Sequence, residues 1–166
     1  MEIRRLNSAD AAAYREMRLA ALREHPLAFV SDYSEEAGLP MAVIEQRLAS
    51  DLSDTFGVFE GSRLVAIGTL LRTARLKQRF RATIVGMYVA PDYRHRGLAT
   101  RLLTACASRA REFLELEELA LCITIGNDAA REAYIKFGFQ PEFIAPRDFK
   151  HAGCYYDLEW LRLPLK

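Results

Sequence analysis

The sequence predicts a single α/β domain over residues 1–166, with a mixed central β-sheet flanked by helices. Three observations predict it. From Thr83 onward, apolar runs of strand length alternate with segments of helical periodicity, the order that parallel strands and right-handed crossovers produce. Ahead of them, two β-rich runs flank the turn signal Gly61-Ser62, which gives an antiparallel hairpin. A length of 166 residues with 51% hydrophobic composition supports one sizeable core and falls short of two ordinary domains.

The elements follow in chain order. Ile3 to Leu6 reads as a short first strand. Ser8 then caps a helix with Asp10 in its first turn, which runs to about His25 and is stopped by Pro26. Leu27 to Leu39 lacks clean periodicity and reads as a loop with a short turn or two. A second helix, Pro40 to about Ser50, opens with proline and sets Val43, Ile44 and Leu48 on one side. Phe56–Phe59 and Leu64–Leu71 are the arms of the hairpin, and Arg72–Arg81 is a basic connector. Thr83–Val89 is apolar enough for a buried central strand. Leu98–Leu114 carries Ala99, Leu102, Leu103, Cys106, Ala110 and Phe113 at helical spacing. Leu119–Thr124 is a second buried strand, parallel to 83–89. Asn127–Phe137 is a helix ended by Gly138. Phe139–Ile144 and Tyr155–Leu163 are the last strands, joined by a polar loop containing Pro146 and Gly153.

Composition removes several function classes. Twenty-three basic residues against 22 acidic leave a net charge of +1, no basis for nucleic acid or an anionic membrane as partner. No window of about eighteen apolar residues is present to span a bilayer. Met1-Glu2-Ile3-Arg4-Arg5 leads into no apolar signal segment. Cys106, Cys122 and Cys154 are odd in number without C-x-x-C spacing, and read as reduced thiols in a cytoplasmic protein. His25, His95 and His151 are too scattered for a metal cluster, so no metal is expected.

The decisive stretch is Val89-Ala90-Pro91-Asp92-Tyr93-Arg94-His95-Arg96-Gly97-Leu98-Ala99. A strand ends, proline forbids its continuation, and an amphipathic helix begins near Gly97. The first turn of a helix has backbone N–H groups without intrahelical partners and a partial positive charge, which together favour a phosphate. Gly97 lets a ligand approach the main chain, Ala99 adds little bulk, and Arg94 and Arg96 add formal charge. On these residues alone, a solvated strand-to-helix turn is as good a reading. Walker and dinucleotide-binding loops are excluded, because their glycine and lysine patterns are missing.

R-x-x-G-x-A, read as Arg94, Gly97 and Ala99 after Met87-Tyr88-Val89-Ala90-Pro91, resembles the acyl-coenzyme A loop of the GNAT superfamily of N-acetyltransferases. The resemblance implies that backbone amides of Arg94, His95, Arg96, Gly97, Leu98, Ala99 and Thr100 hold the pyrophosphate of acetyl-CoA. It implies further that the main chain at Met87, Tyr88 and Val89 pairs with the pantetheine arm like an added strand, with Met87 offering an N–H to the thioester carbonyl.

A second marker follows at Asn127-Asp128-Ala129-Ala130-Arg131-Glu132-Ala133-Tyr134-Ile135-Lys136-Phe137-Gly138-Phe139. Asn127 is a good N-cap. Ala130, Ala133, Tyr134 and Phe137 share one face, so in isolation Tyr134 reads as a member of a core stripe. N-x-x-A-x-x-x-Y-x-x-x-G-F is, however, similar to the other recurring GNAT motif. That resemblance implies that the Tyr134 hydroxyl protonates the departing coenzyme sulfur, and that Asn127 touches the coenzyme arm. The two motifs cover about Thr83 to Phe139.

The expected chemistry is direct attack of a neutral amine on the thioester in a ternary complex. The acceptor is a small-molecule, amino-acid or peptide amine. Neutralising a lysine-like amine at pH 7 costs about 4.6 kcal/mol, an α-amino group about 1.4. Phe29, Asp32, Tyr33 and Glu36, with Glu35, are candidate acceptor-side residues in the early loop; each acidic one also reads as a solvated charge. Arg72, Arg75, Lys77, Arg79 and Arg81 suit a solvated connector better than a phosphate contact. No general base is assigned. The alternative from another class is a catalytically silent module that binds or senses acyl-CoA. A homodimer is expected from family habit alone.

Overall fold

A computed structural model describes residues 1–166 and arranges seven strands in one sheet. They are β1 (Glu2–Arg5), β2 (Ser53–Glu60), β3 (Arg63–Leu71), β4 (Arg81–Val89), β5 (Glu118–Thr124), β6 (Gln140–His151) and β7 (Cys154–Pro164). Their spatial order is β1-β2-β3-β4-β5-β7-β6. All neighbours are antiparallel except β4 and β5, which are parallel as the sequence predicts.

The helices are α1 (Ala11–Glu24), α2 (Tyr33–Ala37), α3 (Met41–Ala49), α4 (Leu98–Arg111) and α5 (Asp128–Phe137). Two sets of buried residues show how they are layered. Tyr14 and Ala21 of α1 and Ile44 and Leu48 of α3 pack with Ile67 and Tyr88 on one face. Leu103, Cys106 and Ala110 of α4 pack with Ile84, Leu119, Leu121 and Phe139 on the other, where Tyr134 and Phe137 of α5 join them. Tyr88 and Ile84, four residues apart on β4, thus fall on opposite faces. A strand of strict period two would put them on the same face.

The cause is a bulge. Ile67 pairs with Tyr88 and Thr69 with Val85, so Gly86 and Met87 together stand opposite Gly68. Gly86 has φ +65, a conformation that costs glycine nothing. Beyond the bulge β4 also leaves β5. Their pairing covers Arg81, Ala82 and Thr83 against Glu118, Leu119 and Ala120, and then stops. The sheet is split at its middle from there to the strands' C-terminal ends.

Several expectations need correction. The cap is Asn7 rather than Ser8: its Oδ1 accepts from Ala9 N at 2.9 Å, and Asp10 Oδ2 accepts from Asn7 N at 2.9 Å. The chain then passes through a 3-10 turn, Ser8–Asp10, before α1 begins. The early loop contains α2, capped by Asp32, whose Oδ1 accepts from Ser34 N at 2.8 Å. Most of the expected polar loop between the last strands is itself strand, with a register shift between Ala145 and Phe149 that accommodates Pro146. The turn there is only Ala152-Gly153. The helix over 98–114 ends sooner, at Arg111.

Close packing on β2 gives a test of the core. A Cβ on Gly57 would lie 2.6 Å from Leu64 Cδ1 and 2.7 Å from Leu6 Cδ2. Gly57→Ala is expected to cost about 1–3 kcal/mol of stability through overpacking. Calorimetry should read a Tm lower by several degrees; an unchanged Tm would mean that the two leucines yield freely.

Candidate active site

The split in the sheet opens into a cavity of about 960 Å³. Its walls are the end of α1 and the segment after it, the ends of β4 and β5, the loop into α4, the first turns of α5, and Tyr156. A site of this size suits a ligand larger than most metabolites. A smaller cavity of about 230 Å³ shares Phe29, Met87, Asn127 and Tyr134 with it and continues between β4 and β5.

The loop into α4 has an unusual backbone. Pro91–Tyr93 forms a 3-10 turn, Arg94 is extended, His95 has φ 61, and Gly97 has φ 73 at the helix N-cap. A non-glycine residue in the left-handed region is uncommon, and such strain concentrates at ligand sites. No side chain caps α4. The first helical bond runs from Arg101 N to Gly97 O, and none of the amides from His95 to Thr100 donates to a protein acceptor. Consecutive free N–H groups curled at a helix N-terminus form an anion cradle. Arg94, His95, Gly97, Leu98 and Ala99 line the cavity, whereas the side chains of Arg96 and Thr100 are exposed outside it. The Arg96 guanidinium lies 5.1 Å from the Tyr93 ring centre.

Arg94 does more than add charge. Its Nε donates to Val89 O at 3.0 Å and its Nη2 to Glu24 Oε1 at 2.6 Å. The Tyr88 hydroxyl donates to Glu24 Oε2 at 2.5 Å, and His25 Nε2 lies 3.2 Å from Glu24 Oε1. The Tyr88 hydroxyl, then Arg94, holds the Glu24 carboxyl below the usual carboxylate range despite burial. Tyr88 is pushed up to about 12, first by burial and then by its carboxylate partner. Such a carboxylate is a weak base. It acts as a clamp between α1, β4 and the loop.

Tyr134 differs from Tyr88 and Tyr93, which line the same cavity. Tyr88 and Tyr93 each donate to a carboxylate, Glu24 and Glu60, both at 2.5 Å. The Tyr134 hydroxyl has no hydrogen-bond partner in the protein, although its ring packs against the core and meets Phe139 edge-on at 6.1 Å. Burial pushes it up to about 12, so it is protonated at neutral pH. Asn127 caps α5, accepting from Ala130 N at 3.4 Å, and lines both cavities.

Of the acceptor-side candidates, only Phe29 lines either cavity. Asp32 caps α2. Tyr33 accepts from Arg23 Nη2 at 3.2 Å on the surface. Glu36 is buried against Arg47, with Nη1 to Oε2 at 3.0 Å, and Glu35 stays exposed on α2. The basic connector joins β4 at its N-terminal end, so the length of that strand, roughly 26 Å, separates it from Val89. There Arg81 pairs with Glu118 at 2.6 Å and Glu142 at 2.9 Å. The structure brings no three His, Cys, Asp or Glu side chains together as a metal site.

The model of the acetyltransferase (GNAT) family matches residues 14–139. The chain belongs to the GNAT acetyltransferase family. Among GNAT relatives, it is 28% identical over 88 residues to YdaF of Bacillus subtilis, named as a candidate ribosomal N-acetyltransferase; the match spans 53% of this chain and 48% of YdaF, about half of each. A probable acetyltransferase from Staphylococcus epidermidis superposes with a TM-score of 0.84 at 22% identity, covering 99% of both chains. The yncA protein of Salmonella typhimurium, solved with its cofactor acetyl-CoA, gives 0.82 at 22% identity, over 100% of this chain and 94% of yncA. At these identities the structural likeness concerns the GNAT fold.

Sequence reasoning missed Glu24 and His25. They sit in and just after the last turn of α1, where Pro26 marks a helix end and nothing local marks a site. The cap at Asp32 was missed as well, although a signal for it is present: Asp32 with Glu35 three residues later is a helix-start pattern.

Proposed function

We propose that this GNAT protein is an acetyl-CoA-dependent N-acetyltransferase that acylates a primary amine by direct attack in a ternary complex. The observation that carries the reading is the run of unpaired amides from His95 to Thr100 at the mouth of a cavity that also holds the free Tyr134 hydroxyl. The diphosphate of the coenzyme lies on those amides. The pantetheine arm runs along β4 where β5 has left it, and the thioester comes beside Met87 and Tyr134.

In the reaction the neutral amine nitrogen attacks the carbonyl carbon and releases its proton to solvent water. The C–N bond forms, the C–S bond breaks, and the thiolate receives a hydrogen bond and finally a proton from the Tyr134 side. In this reading the Met87 N–H stabilises the oxyanion. A covalent cysteine route is disfavoured. Burial pushes Cys106 up to about 12 and Cys122 up to about 11, so neither supplies thiolate at neutral pH.

The test is thiol release from acetyl-CoA across a panel of amines, with mass-spectrometric detection of the acylated product. Acceptor-dependent release with an N-acetyl product is expected. Tight acetyl-CoA binding with no turnover on any amine would favour the silent acyl-CoA-binding module.

A further inference from the structure

The smaller cavity contains a charge that the catalytic reading leaves unused. Arg18, on α1, is 8% exposed. Its Nη1 is buried without a hydrogen-bond partner. The nearest carboxylate, Glu36, lies 4.0 Å from Nη2 and is held by Arg47 at 3.0 Å. The guanidinium sits 4.9 Å from the Phe29 ring centre, and Nη1 is 3.9 Å from where a Cβ on Gly86 would stand. Arg18 is the one charged residue in a wall that is otherwise largely apolar, including Ile84, Val85, Leu121 and Ile123.

A buried guanidinium N–H that lacks an acceptor, in a cavity whose lining holds no carboxylate, is a site for an anion carried in by a ligand. We infer that Arg18 binds a carboxylate of the acceptor, and that the acceptor is a free amino acid. The geometry limits the spacing. Arg18 stands over Gly86, and the thioester is proposed beside Met87, the next residue, about 3.8 Å away along the chain. An acceptor must therefore present carboxylate and amine only a few bonds apart. An α-amino acid does so, whereas the N-terminus of a peptide has its α-carboxyl tied up in an amide.

This inference rests on the transferase reading, and one experiment separates their failures. The full chain is assayed with the twenty proteinogenic L-amino acids, with their carboxamides, and with decarboxylated amines such as isopentylamine. For the preferred side chain, the acid should exceed its amide at least tenfold in kcat/KM. Arg18→Gln should erase that gap by raising KM for the acid, leaving acetyl-CoA affinity and turnover of the amide within about threefold. Arg18→Lys should keep part of the preference. Amides or simple amines equal to or better than every acid would overturn the assignment and leave the transferase standing. So would equal losses for acid and amide in Arg18→Gln. If that variant does not fold, the wild-type acid-to-amide ratio decides alone. Acetyl-CoA binding without release on any compound sinks the transferase reading and this one together.

Discussion

Gly97→Glu is expected to weaken acetyl-CoA binding about 10²–10³-fold in a protein that still folds. Gly97 is the N-cap of α4 with φ 73, and a Cβ there meets nothing within 4 Å. The added side chain therefore finds space in the protein, at the cost of backbone strain of about 1–3 kcal/mol. The loss of affinity has another source. The new carboxylate would stand among the amides proposed to hold the diphosphate, a few ångströms from its charge. At an effective dielectric constant near 20, like unit charges at about 4–5 Å repel by roughly 3–4 kcal/mol, which corresponds to the stated loss. Gly97→Ala separates the contributions, since it carries the strain without the charge and should lose much less. Calorimetric titration with acetyl-CoA reads both variants, and circular dichroism checks the fold. Near-normal affinity in folded Gly97→Glu would place the diphosphate elsewhere and dismantle the loop assignment.

The turn from β4 into α4 was legible because it is a local device, although its residues alone suited a solvated turn equally well. A strand end, a proline, a glycine and a helix start must follow one another within about ten residues, so the sequence carries the whole pattern. The same holds for Asn127 and Gly138, which begin and end α5 with a cap and a left-handed turn. The outer hairpin was harder to read, because no residue of β6 is buried. Without a buried face there is no alternation to detect, and Pro146 argued for a loop. The acceptor side was the least legible. Arg18 looks like any arginine on an amphipathic helix, and Glu24 like a helix-end charge. Only the bulge at Gly86 and the parting of β4 from β5 turn them toward a cavity. Conversely Glu36 looks free in sequence, and tertiary structure engages it in an ion pair with Arg47.

Tyr134→Phe is expected to lower kcat about 10²–10³-fold while leaving acetyl-CoA affinity near normal. The ring would keep its packing against Phe139 and the core, because only a hydroxyl without a protein partner is lost. That lack of a partner makes the substitution informative: Phe removes no structural hydrogen bond, so stability should hold. The effect is bounded above because a thiolate, with a thiol pKa of about 8.5, leaves fairly well unaided. With Tyr134 pushed up to about 12, complete proton transfer early in C–S cleavage is uphill. In the proposed reaction the hydroxyl contributes most by donating a hydrogen bond as negative charge collects on sulfur, in a site where burial strengthens that bond. The raised pKa also sets the sign of a pH effect. In the proposed role Tyr134 acts in its protonated form and keeps its proton well past pH 10, so wild-type kcat should show no alkaline fall from this group through that pH. A fall near 10 that vanishes in Tyr134→Phe would mean an ordinary, solvated phenol, and an unchanged kcat in the variant would return Tyr134 to the core stripe.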